Sequence, residues 1–194
     1  MLVSDGCFPG ETGVDDVPDV DAVPPHAALL RDFANTYDVR PGTDVLTSPD
    51  VLARWLSERG LVPPGSRPAA TDADLADARQ LRGGLRAMMA DEPAAPELEE
   101  LLGRLSLRLA FRPDGPGLRP AAGGVSGGLA SLLVAAVTAV ADGSWERLKI
   151  CLADDCRWAF YDASKNRSRT WCAMQVCGNR RKTRAYRARN RTSA

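Results

Sequence analysis

Histidine is nearly absent from this chain of 194 residues, and no lysine occurs before residue 149. The single histidine, His26, follows Pro24-Pro25, a position that favours a surface or capping residue over a catalytic base or a metal ligand. The chain also lacks a Gly-x-x-x-x-Gly-Lys phosphate loop and the His-Glu-x-x-His motif of zinc proteases. These absences argue against nucleotide hydrolysis and histidine-dependent catalysis, and they favour a protein that is not an enzyme.

Acidic residues are missing from the end of the chain: none follows Asp162, whereas ten basic residues do. Residues 1–144 carry 12 arginines and 21 acidic residues, a net charge of −9. Residues 145–194 carry 13 basic and 4 acidic residues, a net charge of +9. Such asymmetry favours a polyanionic partner for the basic part, most often nucleic acid. The alternative is a solvated tail that docks on the acidic part of its own chain.

Long apolar runs are also missing. The most apolar stretch, residues 129–141, is shorter than the roughly 20 residues that cross a bilayer. The first residues lack the basic and apolar regions of an export signal. We therefore expect a cytoplasmic protein without membrane contact, whose thiols stay reduced unless they bind a metal.

The sequence divides into three parts. Residues 1–25 contain six acidic residues, four prolines and no basic residue, and they predict a mobile acidic leader. Residues 26–144, here called the body, show apolar residues at helical spacing in several segments. Residues 145–194, here called the finger, hold the basic residues and four of the five cysteines. A turn-rich linker is predicted within the body at residues 63–68.

Two helices are predicted in the first half of the body. Apolar spacing predicts the first over residues 27–37, closed by Pro41-Gly42. Ser48 has the position of an N-cap for the second, which is expected to end at Gly60.

Three more helices and a hairpin are predicted in the second half. The third helix begins at Thr71 or Asp72, and its Gly83-Gly84 pair would permit close packing. A leucine repeat predicts a fourth helix from Pro96 as far as Leu109. The fifth, over residues 126–141, is apolar on nearly all sides, which predicts a position at the centre of the core. Residues 107–112 and 117–120 flank a Pro-Asp-Gly-Pro turn, which is typical of a β-hairpin.

The polar residues Asp32, Asn35 and Thr36 near the end of the first predicted helix are candidates for lining a pocket. From their spacing alone, a structural role is favoured, in which Asn35 and Thr36 satisfy backbone groups at the helix end.

Four cysteines of the finger form two pairs with equal internal spacing. Four residues separate Cys151 from Cys156, fifteen separate the pairs, and four separate Cys172 from Cys177. Two close pairs of thiols joined by a hairpin-length segment are typical of a structural Zn²⁺ site, and four protein ligands leave no coordination position open for catalysis. Two disulfides would require an oxidising compartment, and an iron–sulfur cluster also accepts four cysteines. A metal would also stabilise a segment too small for a core of its own. Seven hydrophobic residues are available to pack around it: Trp145, Leu148, Ile150, Trp158, Phe160, Tyr161 and Trp171. Most are expected to do so, with stacking on nucleic-acid bases as the alternative for the aromatic ones.

The segment Trp171-Cys172-Ala173-Met174-Gln175-Val176-Cys177-Gly178-Asn179-Arg180 resembles the signature of the CGNR zinc finger family. The run Cys151-Leu152-Ala153-Asp154-Asp155-Cys156-Arg157-Trp158 and residues 160–169 are similar to the rest of that pattern. In the body, Asp32-Phe33-Ala34-Asn35-Thr36 and residues 48–61 resemble the ABATE domain, which commonly precedes this finger. The resemblance implies a stress-related bacterial transcription regulator, with a sensing or scaffold domain ahead of a DNA-binding finger.

Basic residues dominate the segment after Cys177. At about 100° per residue, Arg180, Arg184, Arg187 and Arg191 would share one face of a helix. A helix that is cationic on most sides gains little from burial, and arginine suits forked contacts to phosphate or guanine edges. The predicted nucleic-acid contacts are Arg180, Arg181, Lys182, Arg184, Arg187, Arg189 and Arg191. The alternatives are a solvated tail and, for Arg181, a structural hydrogen bond near Cys177.

The sequence thus predicts a mostly helical α+β protein: an α-rich body with a small β-hairpin, then a treble-clef-like four-cysteine zinc finger with a basic C-terminal helix. Its expected function is DNA binding as a transcription regulator with Zn²⁺ as a structural cofactor. One alternative is a small-molecule-binding protein or enzyme with its pocket in the body and the finger as a structural or homodimer element. Another is a zinc-stabilised protein–protein adaptor.

Overall fold

The computed structural model describes residues 23–63, 68–113, 115–180 and 183. The predicted leader, apart from its last three residues, and most of the predicted linker lie outside this part of the chain. Five α-helices are present in it: α1 (Pro25–Ala34), α2 (Pro49–Glu58), α3 (Asp72–Met89), α4 (Glu97–Arg104) and α5 (Gly124–Ala141). Three antiparallel strand pairs accompany them: β1 (Tyr37–Asp38) with β2 (Thr43–Asp44), β3 (Leu107–Arg112) with β4 (Gly115–Pro120), and β5 (Leu148–Ile150) with β6 (Ala159–Tyr161). The predicted α+β, mostly helical class is confirmed.

Side-chain caps fix the starts of α2 and α3. The Ser48 hydroxyl accepts a hydrogen bond from the Val51 amide at 3.4 Å. Thr71 and Asp74 form a capping box, in which each side chain accepts a hydrogen bond from the backbone amide of the other. These bonds satisfy amides that have no partner within the helix, so both predicted starts are confirmed.

The first helix ends three residues before the predicted position. α1 stops at Ala34, and Tyr37 instead pairs with Asp44 in the β1–β2 hairpin. The Thr36 hydroxyl donates to the Phe33 carbonyl at 2.8 Å, a local bond that competes with continued helix. Pro41-Gly42 lies between the two strands, where Gly42 has a φ of 69°, so these residues turn the hairpin and do not close α1.

The fourth helix is also shorter than the leucine repeat predicts. α4 ends at Arg104, and Leu109 lies on β3 with 64% of its surface exposed. The prediction of a helix through Leu109 is therefore wrong, because strand pairing with β4 takes over after Leu105. The predicted hairpin is confirmed, with its second strand starting two residues earlier, at Gly115.

Gly84 allows α3 and α4 to approach closely. A Cβ atom at Gly84 would lie 2.4 Å from Leu98 Cδ2, whereas one at Gly83 would meet nothing within 4 Å. The close packing predicted from the Gly-Gly pair is thus confirmed at one of its two members.

α5 packs against α1, α2, α3 and β4 through one face. Leu129, Leu132 and Ala139 are buried on it, while Val137 and Val140 are 47% and 63% exposed. The predicted position in the core is therefore confirmed for one face of α5, while the apolar residues of the other face are exposed. Its 18 residues, with a mean hydropathy of 1.9, are long and apolar enough to cross a membrane, a property that core helices of soluble proteins share.

The hydrophobic core of the body continues into the finger. Leu148 and Ile150 of β5 and Ala159 and Tyr161 of β6 belong to the same buried cluster as the residues of α1, α3 and α5. β6 packs against α1, and β5 against α3. One face of the β5–β6 pair therefore rests on the body, and this contact positions the cysteines that flank both strands.

Candidate metal centre

The four cysteines of the finger converge. The sulfurs of Cys151, Cys156, Cys172 and Cys177 all lie within 4.8 Å of one another. The Cys172 sulfur lies 3.7 Å from those of Cys156 and Cys177. Three of the four residues are buried and Cys172 is partly exposed. The two pairs that are distant in sequence thus form one cluster.

The first pair sits on the turn between β5 and β6. The Cys151 amide donates to the Trp158 carbonyl at 2.8 Å, which continues the strand pairing past Ile150. The amides of Cys156 and Arg157 both donate to the Ala153 carbonyl, and Arg157 has a φ of 53°, which turns the chain back towards β6. This tight turn brings the two sulfurs to the same side.

In the second pair, Cys172 precedes a π-helical turn, Met174–Gly178, and Cys177 lies within it. The Cys177 amide donates to the Ala173 carbonyl at 2.9 Å and closes this turn. The Leu152 amide donates to the Thr170 carbonyl at 3.0 Å, which joins the two turns just before Cys172. Backbone hydrogen bonds therefore shape both cysteine turns and join them.

The spacing of the sulfurs fits zinc. Four sulfurs bound about 2.3 Å from one tetrahedral Zn²⁺ lie about 3.8 Å apart. The two distances of 3.7 Å match that value. The four residues present are therefore suitable ligands for this ion.

The electrostatics of the cluster also call for a cation. Hydrogen bonds from Cys156 and Cys172 lower the pKa of Cys151 to about 2. The same contacts raise the pKa values of Cys156 and Cys172, because each thiol donates to a neighbouring sulfur. Burial raises the pKa of Cys177. Burial and the closeness of the sulfurs thus oppose four thiolate charges, which a bound cation would balance.

Arg180 joins the two cysteine turns. Its Nη2 donates to the Cys177 sulfur at 3.1 Å, and its Nη1 lies 3.5 Å from Asp155 Oδ2 in the first turn. A cationic donor at a thiolate offsets part of the negative charge of a four-cysteine zinc site. The sequence predicts a nucleic-acid contact for Arg180, whereas its contacts in the structure lie within the finger.

Gly178 packs closely against two neighbouring side chains. A Cβ atom at this position would lie 2.5 Å from Met174 Sδ and 3.2 Å from Trp171 Cδ1. Three residues of the Cys177-Gly178-Asn179-Arg180 run therefore belong to one site: Cys177 supplies a sulfur, Gly178 packs closely, and Arg180 supplies a guanidinium.

Asp162 organises the loop between the two cysteine pairs. Its fully buried carboxylate accepts hydrogen bonds from the Lys149 ammonium at 2.8 Å, from the Ser164 hydroxyl and amide at 2.5 and 3.0 Å, and from the Arg169 amide at 2.9 Å. Burial acts to raise its pKa, but the hydrogen bonds from Lys149 and Ser164 outweigh this effect and lower the pKa to about 2. This structural role of Asp162 was not predicted, although a single acidic residue at the start of a basic segment is a sequence signal for a buried ion pair.

The seven hydrophobic residues expected around the metal are divided between two clusters. Trp158, Phe160 and Trp171 pack with the cysteines. Trp145, Leu148, Ile150 and Tyr161 pack with the core of the body instead. Strand alternation explains this division, since neighbouring residues of β6 face opposite sides.

Most of the predicted nucleic-acid contacts lie outside the described residues: Arg181, Lys182, Arg184, Arg187, Arg189 and Arg191. Of the segment after Cys177, the structure describes Asn179, Arg180 and Thr183 as helical. The Thr183 hydroxyl donates to the Asn179 carbonyl at 3.0 Å. The treble-clef arrangement and its basic helix remain predictions.

Asn35 connects the body to the finger. Its side-chain amide donates to the Ala159 carbonyl at 2.9 Å and accepts from the Ala159 amide at 2.8 Å. The two bonds pair the side chain with β6 as a neighbouring strand would. Asn35 thus satisfies backbone groups, as the structural interpretation held, but those of a strand 124 residues away.

Asp32 and Thr36 have partners within the body. Asp32 pairs with Arg31 at 2.9 Å. The buried Thr36 hydroxyl accepts from Arg82 Nη1 at 2.9 Å, and Arg82 also holds both oxygens of Asp44, at 2.6 and 2.7 Å. This buried pair, which fixes the β1–β2 hairpin on α3, was not recognised from the sequence.

A cavity of about 450 Å³ lies where α1, α2 and β6 meet. Asp32, Asn35 and Thr36, the three predicted pocket residues, all line it. The finger supplies a second wall through residues 158–161 and through Cys172 and Ala173. The cavity therefore lies between the body and the finger and not within the body.

One serine lies in a motif typical of hydrolases. Gly124, Ser126 and Gly128 have the Gly-x-Ser-x-Gly spacing, at the start of α5. His26 lies near the other end of this helix, where its Nε2 contacts Asp142 Oδ2 at 2.8 Å and Ser144 Oγ at 3.1 Å. Because α5 is about 27 Å long at 1.5 Å per residue, His26 does not act on Ser126.

Comparisons with known families agree with this arrangement. Residues 27–143 match the ABATE family model, described as "putative stress-induced transcription regulator". Residues 147–190 match the model of the CGNR zinc finger, and the four cysteines and Arg180 lie within this range. No curated protein matches the chain. The chain therefore belongs to the ABATE family and carries a CGNR zinc finger after the ABATE domain.

Proposed function

We propose that this protein is a cytoplasmic, non-enzymatic transcription regulator that binds DNA through the segment after Cys177, with Zn²⁺ held by the four cysteines. The observation that carries the proposal is the position of Cys177. Its sulfur belongs to the cysteine cluster, and the arginine-rich segment starts three residues later. A metal bound there would fix where the basic segment leaves the cysteine cluster and in which direction it runs.

Two further facts support the proposal. The ABATE family description is that of a transcription regulator. The finger carries a net charge of +9, which suits a partner with the charge density of DNA. Zinc would act as a structural ion here, because Cys151, Cys156, Cys172 and Cys177 would fill its four coordination positions.

The experiment is a selection of bound fragments from random duplexes near physiological salt, with and without a zinc chelator. We expect an enriched set that is lost on chelation, and a log K that falls against log salt with a slope of about −5 to −7. Binding that persists after zinc is removed would contradict the proposal.

A matched pair of charge reversals locates the contact. Arg184→Glu with Arg187→Glu should weaken binding to all duplexes, because each change removes a phosphate contact. Arg40→Glu with Arg54→Glu changes the net charge equally at exposed positions of the body and should have a much smaller effect. Arg180 is left unchanged, since its replacement would disturb Cys177. Equal affinities for the two double variants would contradict a contact through the basic segment.

A further inference from the structure

The cavity between the body and the finger has the size and the walls of a ligand site. Its volume of about 450 Å³ falls at the small end of the range for small-molecule pockets, roughly 300–1,000 Å³. α1 and α2 form one side, while β6 and the start of the second cysteine turn form the other. The volume suits a molecule of one or two rings.

Aromatic side chains line both sides of this cavity. Trp55 from the body is 5% exposed and lies against Phe33, with 5.3 Å between ring centroids. Trp158 and Phe160 line the cavity from the finger. Such walls favour a planar, aromatic occupant, because ring faces and edges attract one another beyond their buried area.

Of the two arginines that line the cavity, the exposed Arg59 has no carboxylate partner among the described residues. Arg31 is paired with Asp32 through Nε at 3.1 Å and Nη2 at 2.9 Å. Arg59 lies over the Trp55 ring, with its Cζ 4.0 Å from the centroid. Within the part of the chain that the structure describes, Arg59 forms no ion pair. Stacking on a ring leaves the N–H groups in the guanidinium plane available to a carboxylate.

We propose that this cavity binds a small planar aromatic carboxylate. The carboxylate pairs with Arg59 beside Trp55, and the ring lies towards the finger residues Trp158 and Phe160. Such a ligand contacts the body and the second cysteine turn at once, because Ala173 also lines the cavity. The consequence that it regulates DNA binding rests on the proposed function, whereas binding itself does not.

The experiment titrates the zinc-loaded full chain with indole-3-acetate, benzoate and salicylate by calorimetry, in the absence of DNA. We expect at least one acid to bind at a single site with a Kd of about 1 mM or below. Its amide, and cyclohexanecarboxylate, should bind about tenfold more weakly or worse, because one lacks the charge and the other the ring. The absence of saturable binding by all three acids, or equal binding of acid and amide, overturns the proposal.

Three variants test the placement of the ligand. Arg59→Gln should weaken binding about ten- to a hundredfold, since it removes a charge-assisted hydrogen bond. Arg54→Gln removes the same charge from an exposed position on α2 outside the cavity and should leave binding unchanged. Val45→Trp, at a cavity residue that is 54% exposed, should fill the space and abolish binding without loss of folding. Equal affinities of the Arg59→Gln and Arg54→Gln proteins, or unchanged binding by Val45→Trp, also overturn it.

The test separates this proposal from the proposed function. A protein that binds the acid but no duplex retains the cavity site and loses the DNA-binding role. A protein that binds duplexes but none of the acids retains the role and loses the site.

Discussion

The body and the finger are stabilised by different kinds of buried side chain. The body builds its core from leucine, alanine and aromatic side chains on five helices. The finger has two strands of three residues each, and its own buried cluster is Cys151, Ala153, Cys156, Phe160 and Cys177. Hydrophobic burial spreads stability over many contacts, whereas a four-cysteine cluster concentrates it in one ion. The finger should therefore respond to single changes that the body would tolerate.

Metal removal should produce the largest difference between the two regions. Structural zinc contributes about 10–16 kcal/mol in small zinc-finger peptides, so chelation should unfold the cysteine turns. The helices of the body should persist, because their core lies mainly among themselves. Far-UV circular dichroism should keep most of its helical signal, while hydrogen exchange at the Cys151 and Cys177 amides becomes fast.

Cys156→Ser should reproduce the effect of the chelator. Cys7→Ser is the matched control and should retain full zinc content, because Cys7 is remote in sequence from the two pairs. Loss of the helical signal together with the finger would show that the two regions fold as one unit.

Asp162→Asn should be the next largest effect. The change leaves the Lys149 ammonium and the Arg169 amide facing an amide nitrogen or one oxygen in a buried position, which should cost about 2–4 kcal/mol. Chemical denaturation followed by tryptophan fluorescence measures this loss. Asp154→Asn, at an exposed position of the first cysteine turn, should change stability by less than about 0.5 kcal/mol.

The penalty for Asp162→Asn should not depend on pH near neutrality. The pKa of Asp162 is lowered from 3.8 to about 2, so the carboxylate stabilises the fold above the unfolded pKa and loses this effect only as the pH falls through about 2. A penalty that shrinks between about pH 8 and pH 6 would contradict this assignment of charge.

Asn35→Ala tests the hydrogen-bonded contact between the body and the finger. It removes both hydrogen bonds to Ala159 and leaves two backbone groups of β6 without partners, at a cost of about 1–3 kcal/mol. Hydrogen exchange at the Ala159 amide should accelerate more than at amides within α3. The control is Asn166→Ala in an exposed finger loop, which should leave both rates unchanged.

The smallest expected effect lies within the body. Gly84→Ala should destabilise by about 1–2 kcal/mol, since the buried Leu98 must move to admit a methyl group. Gly83→Ala should stabilise by about 0.5–1 kcal/mol, because alanine is a better helix former and nothing lies within 4 Å of its Cβ. Thermal unfolding measures the change in Tm of each variant. Equal changes in Tm would contradict the close packing of α3 on α4.

Local signals in the sequence predicted local structure. Ser48 and Thr71 cap helices as their residue types suggest, and the cysteine spacing anticipated one cluster. The incorrect predictions depend on pairing or packing with other elements, which the local pattern does not reveal. The end of α1 depends on pairing with β2, and the exposure of Val140 depends on which face of α5 meets the other helices.

Interactions of the candidate sites were hardest to predict. Asn35 looks like a residue that caps its own helix, and no local pattern relates it to Ala159. Arg180 lies in a run of basic residues, so its bond to the Cys177 sulfur was hidden among side chains expected to contact nucleic acid. Trp55 and Arg59 are one helical turn apart, so their stacking is a local contact. The cavity that they line forms only because β6 lies opposite.

The hydrogen bonds between Asn35 and Ala159 have a consequence for the order of assembly. The Ala159 amide and carbonyl point away from β5, along an edge that could recruit a strand from another molecule. Asn35 covers that edge, and it directly follows α1, which leaves the ribosome long before β6 does. Because domains generally fold during synthesis starting from the N-terminus, the body can present this amide as soon as the strand emerges. A newly synthesised finger can then pair with the body of its own chain before it contacts a second chain.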